Sequence, residues 1–113
     1  MTPTPKIPDW IYVVVQAPGE NEMFLGQHDD EQDISFIPVF HQKEDALQCL
    51  PLMKRNRSLT YEVQAVSREE ISEQAAKKGF LLYILDENGV ILDTFEPTDG
   101  RARKYFGVGR SED

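Results

Sequence analysis

Phe36-Ile37-Pro38-Val39-Phe40-His41-Gln42-Lys43-Glu44-Asp45-Ala46 is the stretch on which the fold turns. An apolar run gives way within two residues to a polar segment carrying acids, and acids favour the positive end of a helix dipole. The reading is a strand, Ile34–Phe40, feeding a helix from Lys43 to about Leu50. Pro38 removes a ladder donor, which predicts an edge position or a bulge for that strand. A free edge there would permit a symmetric dimer by strand pairing. Ala46, Leu47 and Leu50 share one helical stripe, and Pro51 is expected to end or kink the helix.

Working outward, Trp10-Ile11-Tyr12-Val13-Val14-Val15 is β-branched and aromatic on both faces, as in a central strand. Pro18-Gly19 supplies a turn, and Met23 to Gln27 returns, with Gly26 in the place of a bulge. Tyr61, Val63 and Ala65 alternate with Glu62 and Gln64, which predicts a strand with one wet face. The helix after it is the best specified. Ser67 and Glu70 form a capping box inside a Val66–Ile71 staple, Lys77 and Lys78 suit the negative end of the dipole, and Gly79 stands at the left-handed cap. Phe80 to Leu85 is apolar throughout, as a strand covered on both faces would be. Asp86-Glu87-Asn88-Gly89 then makes a hairpin turn before Val90 to Phe95, with Asn88 and Gly89 both tolerant of positive φ.

The order β-β-β-α-β-α-β-β predicts an α+β fold, one mostly antiparallel sheet with two helices packed on it. The domain is expected over residues 9–96, with an extension at 1–8 and a mobile basic-aromatic tail at 97–113.

Ile37-Pro38-Val39-Phe40 followed by Lys43-Glu44-Asp45-Ala46 resembles the N-terminal domain of SseB-like proteins. Where those domains carry Thr-Ser, this chain has His41-Gln42, a weaker helix cap. The layout from residue 10 to residue 95 is similar. The resemblance implies a small α/β binding or accessory domain and transfers no functional residue.

At 113 residues the chain is long enough for one core. It holds no apolar run near the roughly 20 residues of a membrane span. Met1 to Pro8 has no signal-peptide core, and one cysteine excludes an internal disulfide. The expected location is a bacterial cytoplasm. The net charge is −8, and most of it falls in the first fifty residues, where nine acids face Lys6 and Lys43. Such a domain repels a phosphate backbone, and Lys54-Arg55-Asn56-Arg57 is too short a patch to reverse that.

No constellation of residues carries catalysis. His28-Asp29-Asp30-Glu31-Gln32-Asp33 has oxygen ligands suited to Ca²⁺ or Mg²⁺ but lacks EF-hand spacing, and reads as a solvated acidic loop. Cys49 with His41 as its base would need a hydrogen bond across about two helical turns. Gly107-Val108-Gly109 lacks the third glycine of a dinucleotide fingerprint. No enzyme, cofactor or metal is expected.

The expectation is a non-enzymatic protein-interaction or accessory domain whose acidic face meets a basic partner protein. The partner-binding residues would be Asp29, Asp30, Glu31 and Asp33, together with Arg101, Arg103, Tyr105 and Phe106 in the tail. One alternative is an acidic inhibitor that mimics a nucleic acid. Another is a small-molecule-binding domain with a pocket beside Trp10, Tyr12 and Tyr83.

Overall fold

The computed structural model describes residues 8–96. The expected tail at 97–113, and the extension up to residue 7, lie outside the described residues. The elements are β1 (Trp10–Gln16), β2 (Met23–Phe24), β3 (Gln27–Asp29), β4 (Ile34–Phe40), α1 (Lys43–Cys49), a 3-10 turn (Leu50–Leu52), β5 (Tyr61–Ser67), α2 (Arg68–Lys78), β6 (Leu81–Leu85) and β7 (Ile91–Phe95). They form the expected α+β fold, a mixed and largely antiparallel seven-stranded sheet with two helices.

The sheet is ordered β5-β1-β4-β6-β7, and β4 and β6 are its parallel pair. Because β4 and β5 both run antiparallel to β1, strands β4, β5 and β6 share one direction. The α1 connection steps from β4 across β1 to β5. The α2 connection steps back the other way, from β5 to β6. Right-handed crossovers made in opposite directions place their helices on opposite faces of the sheet. The core divides accordingly. Ile11, Val13, Val15, Ile37, Val39 and Leu82 pack under Ile71 and Ala75 of α2. Val14, Phe40, Val63, Tyr83 and Leu85 pack under Ala46 and Cys49 of α1. The uninterrupted apolar run of β1 is what fills both layers.

The α2 boundaries follow from its sequence. Ser67 Oγ accepts from Glu70 N–H at 3.1 Å, and Gly79 takes the left-handed cap at φ 75. The capping box is half formed, because among the described residues the Glu70 carboxylate does not return to Ser67. Ser67 also closes the β5 ladder opposite Trp10. At α1 the N-cap is Gln42, which makes no side-chain cap, and the helix passes through Leu50 into the 3-10 turn that carries Pro51.

Four readings are corrected. Strand β4 is central, flanked by β1 and β3 on one side and by β6 on the other, so a dimer through its edge has no edge to use. Pro38 sits between the end of the β1 ladder at Val39 and that of the β3 ladder at Phe36, where, among the described residues, β4 has no strand partner on that side. Met23 to Gln27 is divided at Leu25-Gly26, with β2 pairing to β1 and β3 to β4. In β5, Ala65 is exposed and Val66 is buried on the α2 side, so that strand has no single wet face. On α1 the buried pair is Ala46 and Cys49, while Leu47 is 50% exposed.

Candidate functional site

The predicted acidic residues occupy the end of β3 and the turn to β4, and Asp29 is used to close that turn. Asp29 Oδ1 accepts from the backbone N–H of Glu31 at 3.0 Å and of Gln32 at 3.3 Å, closing an Asx turn. His28 Nε2 lies 3.2 Å from Asp33 Oδ1 and 3.8 Å from Asp30 Oδ1, and His28 Nδ1 pairs with Ser35 Oγ at 2.9 Å. Asp33 holds a left-handed φ of 56, which acidic and amide side chains adopt more readily than most. Glu31 is exposed. The loop is thus a negative projection whose turn Asp29 closes, with the Asp30 and Asp33 carboxylates exposed. Its predicted counterparts Arg101, Arg103, Tyr105 and Phe106 lie outside the described residues. Among the described residues, no group of three or more His, Cys, Asp or Glu side chains is placed to hold a metal.

A surface that the sequence reading did not single out lies on β7. Its inner edge pairs with β6, and among the described residues its outer edge has no strand partner. The hairpin before it is held by Asp86, whose carboxylate accepts from Asn88 N–H at 2.8 Å and Val90 N–H at 2.9 Å. Of the two expected positive-φ positions only Gly89 adopts one, at φ 83. Register slips between Ile84 and Leu85, so Ile91 pairs with Leu85, Asp93 with Ile84, and Leu92 is the extra residue. Val90, Ile91 and Leu92 are 55%, 50% and 55% exposed. The main packing of α1 is on β1, β4 and β5, and that of α2 on β5 and β6, and of β7 it is the far end, Phe95, that packs on the α2-side core. Glu87, Asp93 and Glu96 stand exposed around this apolar row.

A groove opens at the other side of the sheet, between α2 and the β5, β1 and β2 strands, with a volume of about 410 Å³. Val15 and Val66 lie buried beneath it; Glu22, Met23 and Phe24 border it at β2, Gln64 at β5, and Glu70, Gln74 and Lys78 at α2. Gln64 Nε2 donates to Glu62 at 2.9 Å. A second cleft, past Met23 and Phe24, is lined by Gly26, His28, Lys54 and Phe80.

The pocket expected beside Trp10, Tyr12 and Tyr83 does not assemble. Tyr83 is buried and stacks on Phe36, with ring centroids 4.3 Å apart. Trp10, read as core, is 66% exposed and borders a cleft with Asp9, Ser67, Arg68 and Glu69. By register it stands two strands and four residues from Tyr83, on the order of 15 Å. Cys49 is buried, and burial first and the Asp86 carboxylate second push its thiol above the ordinary value. That is the opposite of what activates a nucleophile. His41 is exposed in the turn before α1.

No protein-family model, curated protein or solved structure matches this chain. A signal for the β7 surface was present in the sequence: Val90-Ile91-Leu92 is a run of three apolar residues directly after the hairpin turn. The α2 groove is signalled by Glu70, Gln74 and Lys78, four residues apart on one helical stripe.

Proposed function

We propose that this protein is a non-enzymatic protein-interaction module of the bacterial cytoplasm, which takes up an extended basic segment of a partner protein along β7. The observation that carries the reading is the run Val90, Ile91 and Leu92, at least half exposed where the chain enters β7, an edge strand among the described residues, with Glu87, Asp93 and Glu96 exposed nearby. An edge strand offers unpaired main-chain groups, and strand addition lets a partner use them while its alternate side chains meet the apolar row. Contiguous exposed apolar residues inside a polar rim are the usual mark of such a surface. The acidic turn at Asp29–Asp33 and the net charge of −8 add long-range attraction for a basic partner. The resemblance to SseB-like N-terminal domains points to the same class of accessory module.

The test is affinity capture from native lysate with the full chain and with its Leu92→Lys variant, each at low and at high salt. A specific protein that binds the full chain, weakens with salt and is lost on Leu92→Lys supports the reading, because salt screens exposed charge contacts. Capture that Leu92→Lys leaves unchanged sinks it, and so does an empty capture at both salts.

A further inference from the structure

On the reading of β7 as a docking edge, on which the present inference rests, the segment best matched to that edge belongs to this chain. From Asp86 to Glu96 the sequence has four acids and no base, and Glu87, Asp93 and Glu96 are exposed. Val90, Ile91 and Leu92 are at least half exposed among them. Among the described residues no strand pairs with the outer edge of β7. A matching occupant is therefore extended, basic and partly apolar. A second copy of β7 would bring acids against acids. Arg101-Ala102-Arg103-Lys104-Tyr105-Phe106 has three bases, two aromatics and no acid, and only residues 96–100 separate it from β7. Within that link, Pro97-Thr98-Asp99-Gly100 has the chemistry of a chain reversal. Proline presets φ at the first corner, and Asp and Gly tolerate positive φ at the return.

Reversal over those four residues, a common hairpin length, fixes an antiparallel register. Glu96 then faces Arg101, and Asp93 faces Lys104. Leu92 and Ile91 meet Tyr105 and Phe106. Ala102, the smallest residue of the segment, falls opposite Phe95, whose ring packs on the α2-side core. Opposite charges placed directly across two strands stabilise their pairing, as do apolar pairs. A slip of one residue in either direction leaves Glu96 facing Ala102 or Gly100, without a base.

We infer that residues 101–106 pair antiparallel with β7 of the same chain, and that a partner docks on this edge only by displacing them. The short link holds the segment at an effective concentration on the order of millimolar. A free partner segment of equal affinity at micromolar concentration is then excluded, because its apparent affinity is reduced by the fraction of chains with the edge open. The bases carried on the new outer edge discourage the addition of a further strand.

Nuclear Overhauser contacts in the isotope-labelled full chain test the pairing with no partner present, so its failure is separable from failure of the β7 reading. Contacts are expected between Asp93 and Lys104 and between Ile91 and Phe106, unchanged on dilution. Lys104→Glu should make the outward amides of β7 exchange about fivefold faster, the upper range for one cross-strand pair. Combining it with Asp93→Lys should restore the protection, which a local effect of either change would not do. In affinity capture, Lys104→Glu should recover severalfold more of a partner whose binding Leu92→Lys abolishes. Absence of the Overhauser contacts overturns the inference. So do contacts that arise only between chains in a mixture of labelled and unlabelled copies, which would place the segment on a second copy. A Leu92-dependent partner whose capture ignores Lys104→Glu refutes the displacement. The expected contacts beside an empty capture support the pairing and sink the partner reading alone.

Discussion

Replacing Gly26 by Ala should destabilise the fold through one contact. A Cβ placed on Gly26 stands 2.7 Å from Phe80 Cε2, 3.4 Å from Phe80 Cδ2 and 3.6 Å from the Phe36 carbonyl oxygen. Carbon atoms pack best at about 3.5–4.0 Å, so only the Cε2 contact is prohibitive, by nearly 1 Å. The Gly26 backbone is outside the left-handed region, so the penalty arises from crowding and not from φ. Phe80 is half-buried against the α2-side core and must swing its ring away from that packing. Overpacking of this kind costs about 1–3 kcal/mol. For a domain of this size each kcal/mol is worth about 4–8 °C in Tm. Urea unfolding followed by far-ultraviolet circular dichroism is the suitable assay, since Trp10 is 66% exposed and a weak reporter of unfolding. The cycle is closed with Phe80→Leu, whose side chain ends at the δ carbons and has no atom where Cε2 stood. In that background Gly26→Ala should cost less than about 0.5 kcal/mol, because the remaining contact is near the ordinary range. Equal penalties in both backgrounds would refute the argument, and would mean that the break between β2 and β3 needs glycine for another reason.

Gly79→Ala makes the opposite case: nothing lies within 4 Å of the added Cβ, but φ is 75, so roughly 1–2 kcal/mol should be lost to backbone strain alone. Gly79→Asn should recover part of that in the same unfolding assay, since Asn tolerates the left-handed cap. Cys49 should make stability depend on alkaline pH. Its folded thiol is raised above the ordinary 9.0, so the folded chain holds the proton longer than the unfolded one. The stabilisation is therefore complete below the ordinary thiol value and declines as pH climbs through 9.0 toward the folded value. Urea midpoints across that window should fall more steeply for the native chain than for Cys49→Ala, and parallel slopes would show that the thiol contributes nothing.

Much of the architecture was legible locally. The α2 ends are written in Ser67 and Gly79, because a cap and a left-handed turn involve only neighbouring residues. The β1 run and the Phe80–Leu85 run announce strands covered on both sides, and both are central. The failures share a cause. Pro38 predicts an edge or a bulge because a missing donor is costly inside a sheet, yet it lies where two neighbouring strands part, and their parting is not a property of β4. Ala65 and Val66 exchanged roles because β5 is an edge strand beside α2, whose staple residue Val66 turns inward with Ile71. Trp10 looked like core by composition, but it stands at the strand end, opposite Ser67, where the covering helix layer has run out.

The candidate surfaces divide the same way. The sequence by itself determined which groups exist: an acidic turn, an apolar start to β7, and a helical stripe of Glu70, Gln74 and Lys78. It also determined the local geometry that hydrogen bonds over a few residues can enforce, as Asp29 does for its turn and Asp86 for its hairpin. Only the tertiary structure decided which of these groups are available. It buried Tyr83 against Phe36, and it left Val90, Ile91 and Leu92 at least half exposed while Phe95 packs on the α2-side core. The physical reason is that exposure depends on which strands lie side by side and which faces the crossovers cover, and that is settled by contacts between residues far apart in the chain.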